Sequence, residues 1–483
     1  MIPQDAISAF RAVVGERNCI TAPEELRTYE CDGLTSFRST PGVVVLPGSG
    51  AEVVDVVKIA HAHRLPIVPR GSGTGLSGGA LPVPDGVLLG LSRMKRILEI
   101  DLDNGWMRVE PGVINLEVSR RLAPHGYYYA PDPSSQSVCS IGGNLAENSG
   151  GAHCLKYGFT VNHVLGARVV LADGSVFDLG GPVLDTPGYD LIGAVVGSEG
   201  TLAIATEIVL RILRKPEATR TFFATFPSTD EAGHAVSRII AAGIVPAAIE
   251  MMDRLAIVAI KAATGVDWPD VGAALLMDVD GPLAEVDHTA EEAVRIARQS
   301  GALLVRLPKD EAERQTMWKG RKSAFAAVGR ISPNYMVQDG VIPRSVIAQV
   351  LREIDEMVAR AGLKIANVFH AGDGNLHPLI LYDARVPGQE KLAEEVGGEI
   401  LRACIRVGGS ITGEHGVGAD KAPYMGELFS DDDLATMALL RCAFDPESRM
   451  NPGKVFPTPR LCGDRPGKYV AHPLEQSGEA GRG

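Results

Sequence analysis

The sequence is poor in the features that mark several large functional classes. No apolar run is long enough to span a bilayer, so no transmembrane helix is expected. The first residues, Met1-Ile2-Pro3-Gln4-Asp5, have neither a basic n-region nor an apolar h-region, so no signal peptide is expected. Basic residues are outnumbered, 47 against 59 acidic, giving a net charge of −12 with no dense basic cluster. That balance argues against a nucleic-acid partner. Cysteine is sparse: seven residues, Cys19, Cys31, Cys139, Cys154, Cys404, Cys442 and Cys462, odd in number and never spaced Cys-x-x-Cys. Neither a disulfide framework nor an iron–sulfur site is indicated, and a reducing cytoplasm is the expected location.

The chain does have length, 483 residues, and a hydrophobic content of 45%. Two or three domains with large cores are expected. The first 36 residues read as a helical lead-in. After them, Gly42–Pro47 reads as a strand, Ala51–His61 as a helix with one apolar face, and Leu65–Pro69 as a short strand. This strand runs into Arg70-Gly71-Ser72-Gly73-Thr74-Gly75-Leu76-Ser77-Gly78-Gly79. The glycine spacing formally matches a dinucleotide fingerprint, but that motif must open a helix. Pro82 and Pro84 follow and forbid one. What remains is a nest of backbone N–H groups beside Arg70 and the hydroxyls of Ser72, Thr74 and Ser77, suited to a phosphate.

Two more stretches share this character. One is Pro131-Asp132-Pro133-Ser134-Ser135 with Ser140-Ile141-Gly142-Gly143-Asn144 and on to Asn148 and Gly151. The other is Gly197-Ser198-Glu199-Gly200-Thr201 leading to Ile204. Three such loops among alternating strands and helices suggest one extended ligand crossing a domain. Beyond Lys215, Thr221–Phe226 and Ala273–Val279 read as strands and Glu291–Gln299 as a helix, an α+β pattern.

The most concentrated chemistry lies in Val368-Phe369-His370-Ala371-Gly372-Asp373-Gly374-Asn375-Leu376-His377. Asp373-Gly374 between apolar runs predicts a two-residue hairpin turn. That turn would set His370 opposite His377 with Cβ atoms about 5 Å apart, close enough to share one metal ion. A third ligand is sought in Thr412-Gly413-Glu414-His415-Gly416. An extended backbone there would send Glu414 and His415 to opposite sides, so that one binds metal while the other acts differently. Two histidines and a carboxylate leave coordination positions open for a substrate. Standing alone, the Glu414-His415 segment would read as a solvated loop.

The order of these motifs resembles the vanillyl-alcohol-oxidase, or PCMH-type, FAD-linked oxidoreductases. The histidine stretch, the Gly413–Gly416 loop, Phe444-Asp445-Pro446 and Asn451-Pro452-Gly453-Lys454 resemble the D-2-hydroxyacid dehydrogenase branch. That branch includes D-lactate dehydrogenase, D-2-hydroxyglutarate dehydrogenase and the GlcD subunit of glycolate oxidase. The resemblance covers roughly residues 20 to 458. It implies an α+β fold: a helical lead-in at 1–36, a PCMH-type FAD-binding domain at 37–214, a substrate- and metal-binding cap at 215–440, a segment at 441–460 returning to the FAD domain, and a loose tail at 461–483.

Carried over by residue, the resemblance gives Arg70 to Gly78, after Pro69, the FAD pyrophosphate. Pro131, Ser135, Gly142, Gly143, Asn148, Gly151 and Gly158 would line flavin and ribose, with Asp132, Ser140 and Asn144 in the same stretches. Glu199, Gly200 and Ile204 would meet the adenine end, and Asn451 the flavin. His370, His377 and Glu414 would hold a divalent metal, Zn, Mn or Fe. His415 would be the catalytic base and Arg321 would bind the substrate carboxylate. Thr74 stands where relatives with covalent FAD carry a histidine, so non-covalent FAD is expected. Met336–Gly340 lacks the lysine, and Leu379 replaces the asparagine, of relatives that act on 2-hydroxyglutarate. A small monocarboxylate such as glycolate or D-lactate is therefore expected.

The implied chemistry is metal-templated proton removal from the 2-hydroxyl by His415 and hydride transfer to flavin N5. Electrons would pass to a flavoprotein or iron–sulfur partner subunit, or to another acceptor, and a peripheral place at the inner face of a membrane through those partners stays open. A homodimer stays open. So do an oxygen-using flavin oxidase, a metal-dependent hydrolase without FAD, and a flavin-bearing scaffold inactive alone.

Overall fold

In the computed structural model, residues 2–184 and 188–457 are described. The expected tail at 461–483 lies outside them. The chain divides into two compact units. The first comprises residues up to Ser149, Phe159–Arg214 and the part from Glu414 onward; the second comprises Gly150–Gly158 and Lys215–Gly413. The chain thus re-enters the first unit at Glu414, earlier than the 441 expected from sequence. The stretch after Glu414 belongs there because its amides bond to the first unit: Val417 and Gly418 to Glu199, Ala419 and Asp420 to Ser77.

The first unit begins with a four-stranded sheet built from β1 (Cys19–Ile20), β2 (Val43–Val45), β3 (Ile67–Arg70) and β4 (Val87–Gly90), ordered β1-β2-β4-β3. The last three strands are parallel, and both faces are covered. This explains why β2 is an unbroken run of valines rather than an alternation. Val43 and Val45 join Ile67, Val87 and Leu89 in one core, while Val44 joins Val68 and Leu88 in another. Helix Gly50–Ala62 covers the first face with Val53, Val56, Val57 and Ala60, which recur on one helical side. Ser49 starts it by accepting from the Glu52 amide at 3.2 Å.

A second, antiparallel sheet follows. It uses β5 (Ile97–Asp101), β6 (Trp106–Val109), β8 (Val164–Val170), β9 (Val176–Gly180) and β10 (Ile204–Arg211) in the order β5-β6-β10-β8-β9. A two-stranded ribbon pairs β7 (Tyr127–Tyr128) with β11 (Leu213–Arg214). The returning segment lies against β3: Ile67 donates to the Arg449 carbonyl, Asn451 donates to the Ile67 carbonyl, and Met450 is fully buried.

The second unit is one seven-stranded sheet of β12 (Ala218–Phe226), β13 (Ala248–Asp253), β14 (Ala273–Gly281), β15 (Leu304–Arg306), β16 (Asn334–Val337), β17 (Lys364–His370) and β18 (Pro378–Tyr382). The order is β15-β12-β14-β13-β17-β18-β16, and every pairing is antiparallel. Helices cover both faces. Ala273, Leu275 and Met277 face helices Thr229–Ala241, Leu283–Gln299 and Ile347–Arg360. Ala274 and Leu276 face helices Arg254–Thr264 and Glu311–Lys322. Burying a strand on both sides removes the polar half of the usual alternation. Each large apolar side chain so buried contributes about 1.5–3 kcal/mol.

Candidate active site

The histidine hairpin forms, but not with the expected register. Asn367 pairs with Pro378 and Ala366 with Leu379, and His370 bridges to Asn375. His370 is therefore not opposite His377, and the connection is the four residues Ala371–Gly374 rather than Asp373-Gly374 alone. Gly374 has φ +82°, and a Cβ there would sit 2.1 Å from the Ile342 carbonyl oxygen. The Asp373 carboxylate accepts the Asn375 amide at 3.1 Å, closing the turn locally. The histidines still meet, with ring centroids 5.1 Å apart and planes at 88°. The reason is the two-residue period of a strand: His377 lies two positions past the residue opposite His370, so it keeps the same face.

Two carboxylates that the sequence reading passed over organise this pair. Glu250 on β13 is fully buried, with Oε1 2.6 Å from His370 Nδ1. Its other oxygen pairs with the Arg321 guanidinium. Burial pushes the Glu250 carboxyl up, but Arg321 and His370 more than offset this and hold it below the usual range. An ionised Glu250 can only accept, so Nδ1 of His370 donates to it, and in the neutral ring the lone pair is then on Nε2. That is the tautomer of a metal-ligating histidine steadied by a carboxylate. Asp339, just after β16, is also fully buried and lies 3.9 Å from His377 Nδ1. It accepts from the Thr412 hydroxyl at 2.6 Å and the Gly413 amide at 3.1 Å. A Cβ on Gly413 would fall 2.5 Å from the Asn375 side chain, so glycine is required there. One signal could have found Glu250: it is the lone charge in the apolar run Ala247–Met252.

Arg321 is not part of a solvated charge cluster. Its neighbours Lys319 and Lys322 are exposed, but Arg321 is on the buried side of helix Glu311–Lys322 with Met317 and Trp318.

Glu414 and His415 lie in a series of bends, not an extended strand, and their side chains approach to 3.9 Å instead of diverging. The His415 carbonyl accepts from the Ser77 hydroxyl at 2.9 Å. The glycine loops that supply the other sequence-derived residues are brought together in the first unit. A Cβ on Gly71 would meet Ser140 Oγ at 2.3 Å, and one on Gly200 would meet Pro69 at 2.4 Å. Asn451, fully buried, donates to the carbonyls of Gly79 at 2.8 Å and Glu199 at 2.6 Å.

Some of these side chains are occupied in holding the fold. Asn144 accepts from Asn115 at 3.0 Å, Asn148 accepts the Val161 amide at 2.9 Å, and Ile204 is core. The stretch read as a loop after Ser140 contains a helix, Ile141–Glu147. It forms despite two glycines because Ser140 accepts the Gly143 amide and Ile141 and Leu145 enter the core. Gly142 lies so close to Pro111 that no side chain fits. The Pro131 carbonyl accepts from Asn115, beside this helix. Gly151 and Gly158 belong to the 150–158 segment of the second unit.

Comparison with known proteins places these observations. Residues 41–180 match the family model of an FAD binding domain, and residues 215–455 match that of the C-terminal domain of FAD linked oxidases. The glycolate oxidase subunit GlcD of Escherichia coli (strain K12) is 48% identical over 96% of this chain and 94% of its own length. The subunit of the same name from Bacillus subtilis (strain 168) is 39% identical over 94% and 97%. A D-lactate dehydrogenase of Archaeoglobus fulgidus is 34% identical over 86% and 91%. Among solved structures, p-cresol methylhydroxylase with substrate bound has a TM-score of 0.79 at 18% identity, covering 94% of this chain and 97% of its own. The fold is the PCMH-type FAD-binding fold with an α+β second unit.

Proposed function

The chain belongs to the FAD-linked oxidase family, and from that premise we propose that it oxidises a small D-2-hydroxy acid, glycolate or D-lactate, to the 2-keto acid. FAD, when bound, supplies the two-electron acceptor for the C2 hydride, and a divalent ion supplies Lewis acidity. The observation that carries the reading is the carboxylate-steadied histidine: His370 with Nδ1 on Glu250 and the His377 ring 5.1 Å away, in a chain whose relatives are a glycolate oxidase subunit and D-lactate dehydrogenases. The donor set suits Zn, Mn or Fe: two imidazoles, that of His370 steadied by Glu250, with Glu414, which directly follows Gly413, as the carboxylate.

His370, His377 and Glu414 would hold the ion, and His415 would accept the hydroxyl proton at a ring nitrogen. Arg321 presents its remaining N–H donors to the substrate carboxylate, its orientation set by Glu250. The backbone of the glycine loops from Pro69 to Gly78, Pro131 to Asn148 and Gly200 to Ile204, with Asn451, would hold FAD without a covalent bond. Electrons leave to a separate acceptor, a partner subunit bearing a flavin or iron–sulfur clusters, in the cytoplasm. Among the described residues no helix is long and apolar enough to cross a membrane.

The test is a steady-state assay of glycolate and D-lactate with an artificial dye and then with air alone. We expect turnover with the dye to exceed turnover in air by about tenfold or more. Equal rates with stoichiometric peroxide would establish an oxidase. A colourless protein inactive on both acids would overturn the assignment.

A further inference from the structure

Glu199 was expected at the adenine end of FAD, yet its carboxylate is used within the protein. Oε1 accepts the Val417 amide at 2.6 Å and Oε2 accepts the Gly418 amide at 2.7 Å. Both are short, charge-assisted bonds to consecutive amides of the loop that carries His415. We propose that Glu199 is a positioning residue for His415: a two-oxygen clamp that, with Ser77, fixes the loop of the catalytic base to the glycine loops of the FAD-binding unit. The proposal rests on the role of His415 given above.

Four features of the first unit support it. The Glu199 backbone adopts φ +52°, a left-handed conformation costly for a residue with a side chain, and Gly200 follows at φ +68°. This turn directs the carboxylate inward, where Glu199 is 4% exposed. The turn is itself held by Asn451, whose amide donates to the Glu199 carbonyl. Next, the loop backbone is pressed against its supports. A Cβ on Gly416, adjacent to His415, would lie 2.1 Å from Glu147 and 2.9 Å from Glu199. One on Gly418 would lie 2.0 Å from the Ser77 carbonyl oxygen. Third, Ser77 repeats the fastening on the other side: its hydroxyl donates to the His415 carbonyl, and its carbonyl accepts the Ala419 and Asp420 amides at 3.0 Å each. Finally, burial pushes the Glu199 carboxyl up to about 7, and the two loop amides, followed by the buried Lys421 and Lys454, oppose that rise and favour the anionic form. Displacing a proton acceptor by about 1 Å costs on the order of 100-fold in rate, so a clamp of this kind has measurable weight.

The experiment compares wild type with Glu199→Gln in the full-length flavoprotein, by flavin content, steady-state kinetics and amide hydrogen exchange. Glutamine keeps the shape but puts an NH2 against a backbone N–H. We expect the flavin-to-protein ratio to be unchanged, kcat to fall about 10- to 100-fold with KM within about twofold, and exchange to accelerate in the peptide spanning residues 411–420. Loss of flavin in proportion to activity would overturn the proposal, because Glu199 would then be a cofactor contact. Unchanged exchange at 411–420 would overturn it as well. Should the glutamine variant not fold, Ser77→Ala removes the donor to the His415 carbonyl while keeping the backbone acceptor. The same pattern is expected with a smaller fall in kcat, and unchanged exchange there counts equally against the clamp. Wild type inactive on hydroxy acids would instead defeat the functional reading, while exchange still reports on the clamp alone.

Discussion

At the scale of single residues, the second unit is organised around a charge that its sequence hides. Glu250 sits mid-strand between Ile249 and Met251, both buried, and binds two cationic-capable partners, His370 and Arg321. A carboxylate in such a place is tolerated only because both oxygens are engaged. Removing it leaves a guanidinium buried without a counter-charge. Glu250→Ala should therefore destabilise the protein by about 3–5 kcal/mol, read by denaturant unfolding. Glu250→Gln keeps the volume but not the charge and no longer selects the His370 tautomer. If His370 ligates a metal, affinity for Zn or Mn should fall about 10- to 100-fold while flavin content stays unchanged, measured by metal titration of the apoprotein. Unchanged affinity would mean that His370 is only a packed core histidine. The sequence made both histidines visible, whereas for Glu250 it offered only a lone charge in an apolar run, which does not name the partners of that charge.

Among elements, the β17–β18 hairpin shows how a wrong register can leave a conclusion standing. The Asp373-Gly374 pair marks a turn, and a turn is there, but it is two residues longer than the tightest form. The slip is even, so every side chain keeps its face. An odd slip would have sent His377 to the opposite side. What selects the longer turn is tertiary: Gly374 packs under the Ile342 carbonyl, and the Ile342 amide donates to the Gly374 carbonyl at 3.0 Å. Gly374→Ala combines an unfavourable φ with a clash against backbone, and should cost roughly 2–4 kcal/mol in an unfolding titration. Because the two histidines flank this turn, metal retention should fall in the same variant. A variant as stable as wild type would show that the turn is loose enough to refold around a methyl group.

For the whole molecule, the matched FAD binding domain and the C-terminal oxidase domain together span most of the chain, and the structure divides into two units near their junction, at Arg214 and Lys215. The first glycine loop carries Thr74 and no histidine between Arg70 and Gly79. Denaturation should therefore release the flavin into the supernatant after acid precipitation, identified as FAD by its absorbance and chromatography. Yellow colour retained in the washed pellet would refute non-covalent binding.

Sequence alone determined the parts of this protein that depend on local pattern. Apolar periodicity marks the buried face of helix Gly50–Ala62. Unbroken apolar runs mark β2 and the first five residues of β14, whose two faces are both covered. Prolines after the glycine loop exclude a helix there. Glycine-rich loops pointed to an extended ligand, because a backbone that approaches a ligand closely must lack side chains; the resemblance of their order to the FAD-linked oxidases supplied the flavin. The tertiary structure decided what joins segments far apart in the chain. Glu250 reaches His370 across 120 residues, Ser77 reaches His415 across 338, and Glu199 reaches Val417 across 218. Such contacts are set by how strands are ordered and loops are stacked, and no local pattern of residues encodes the distance between two side chains so widely separated in sequence.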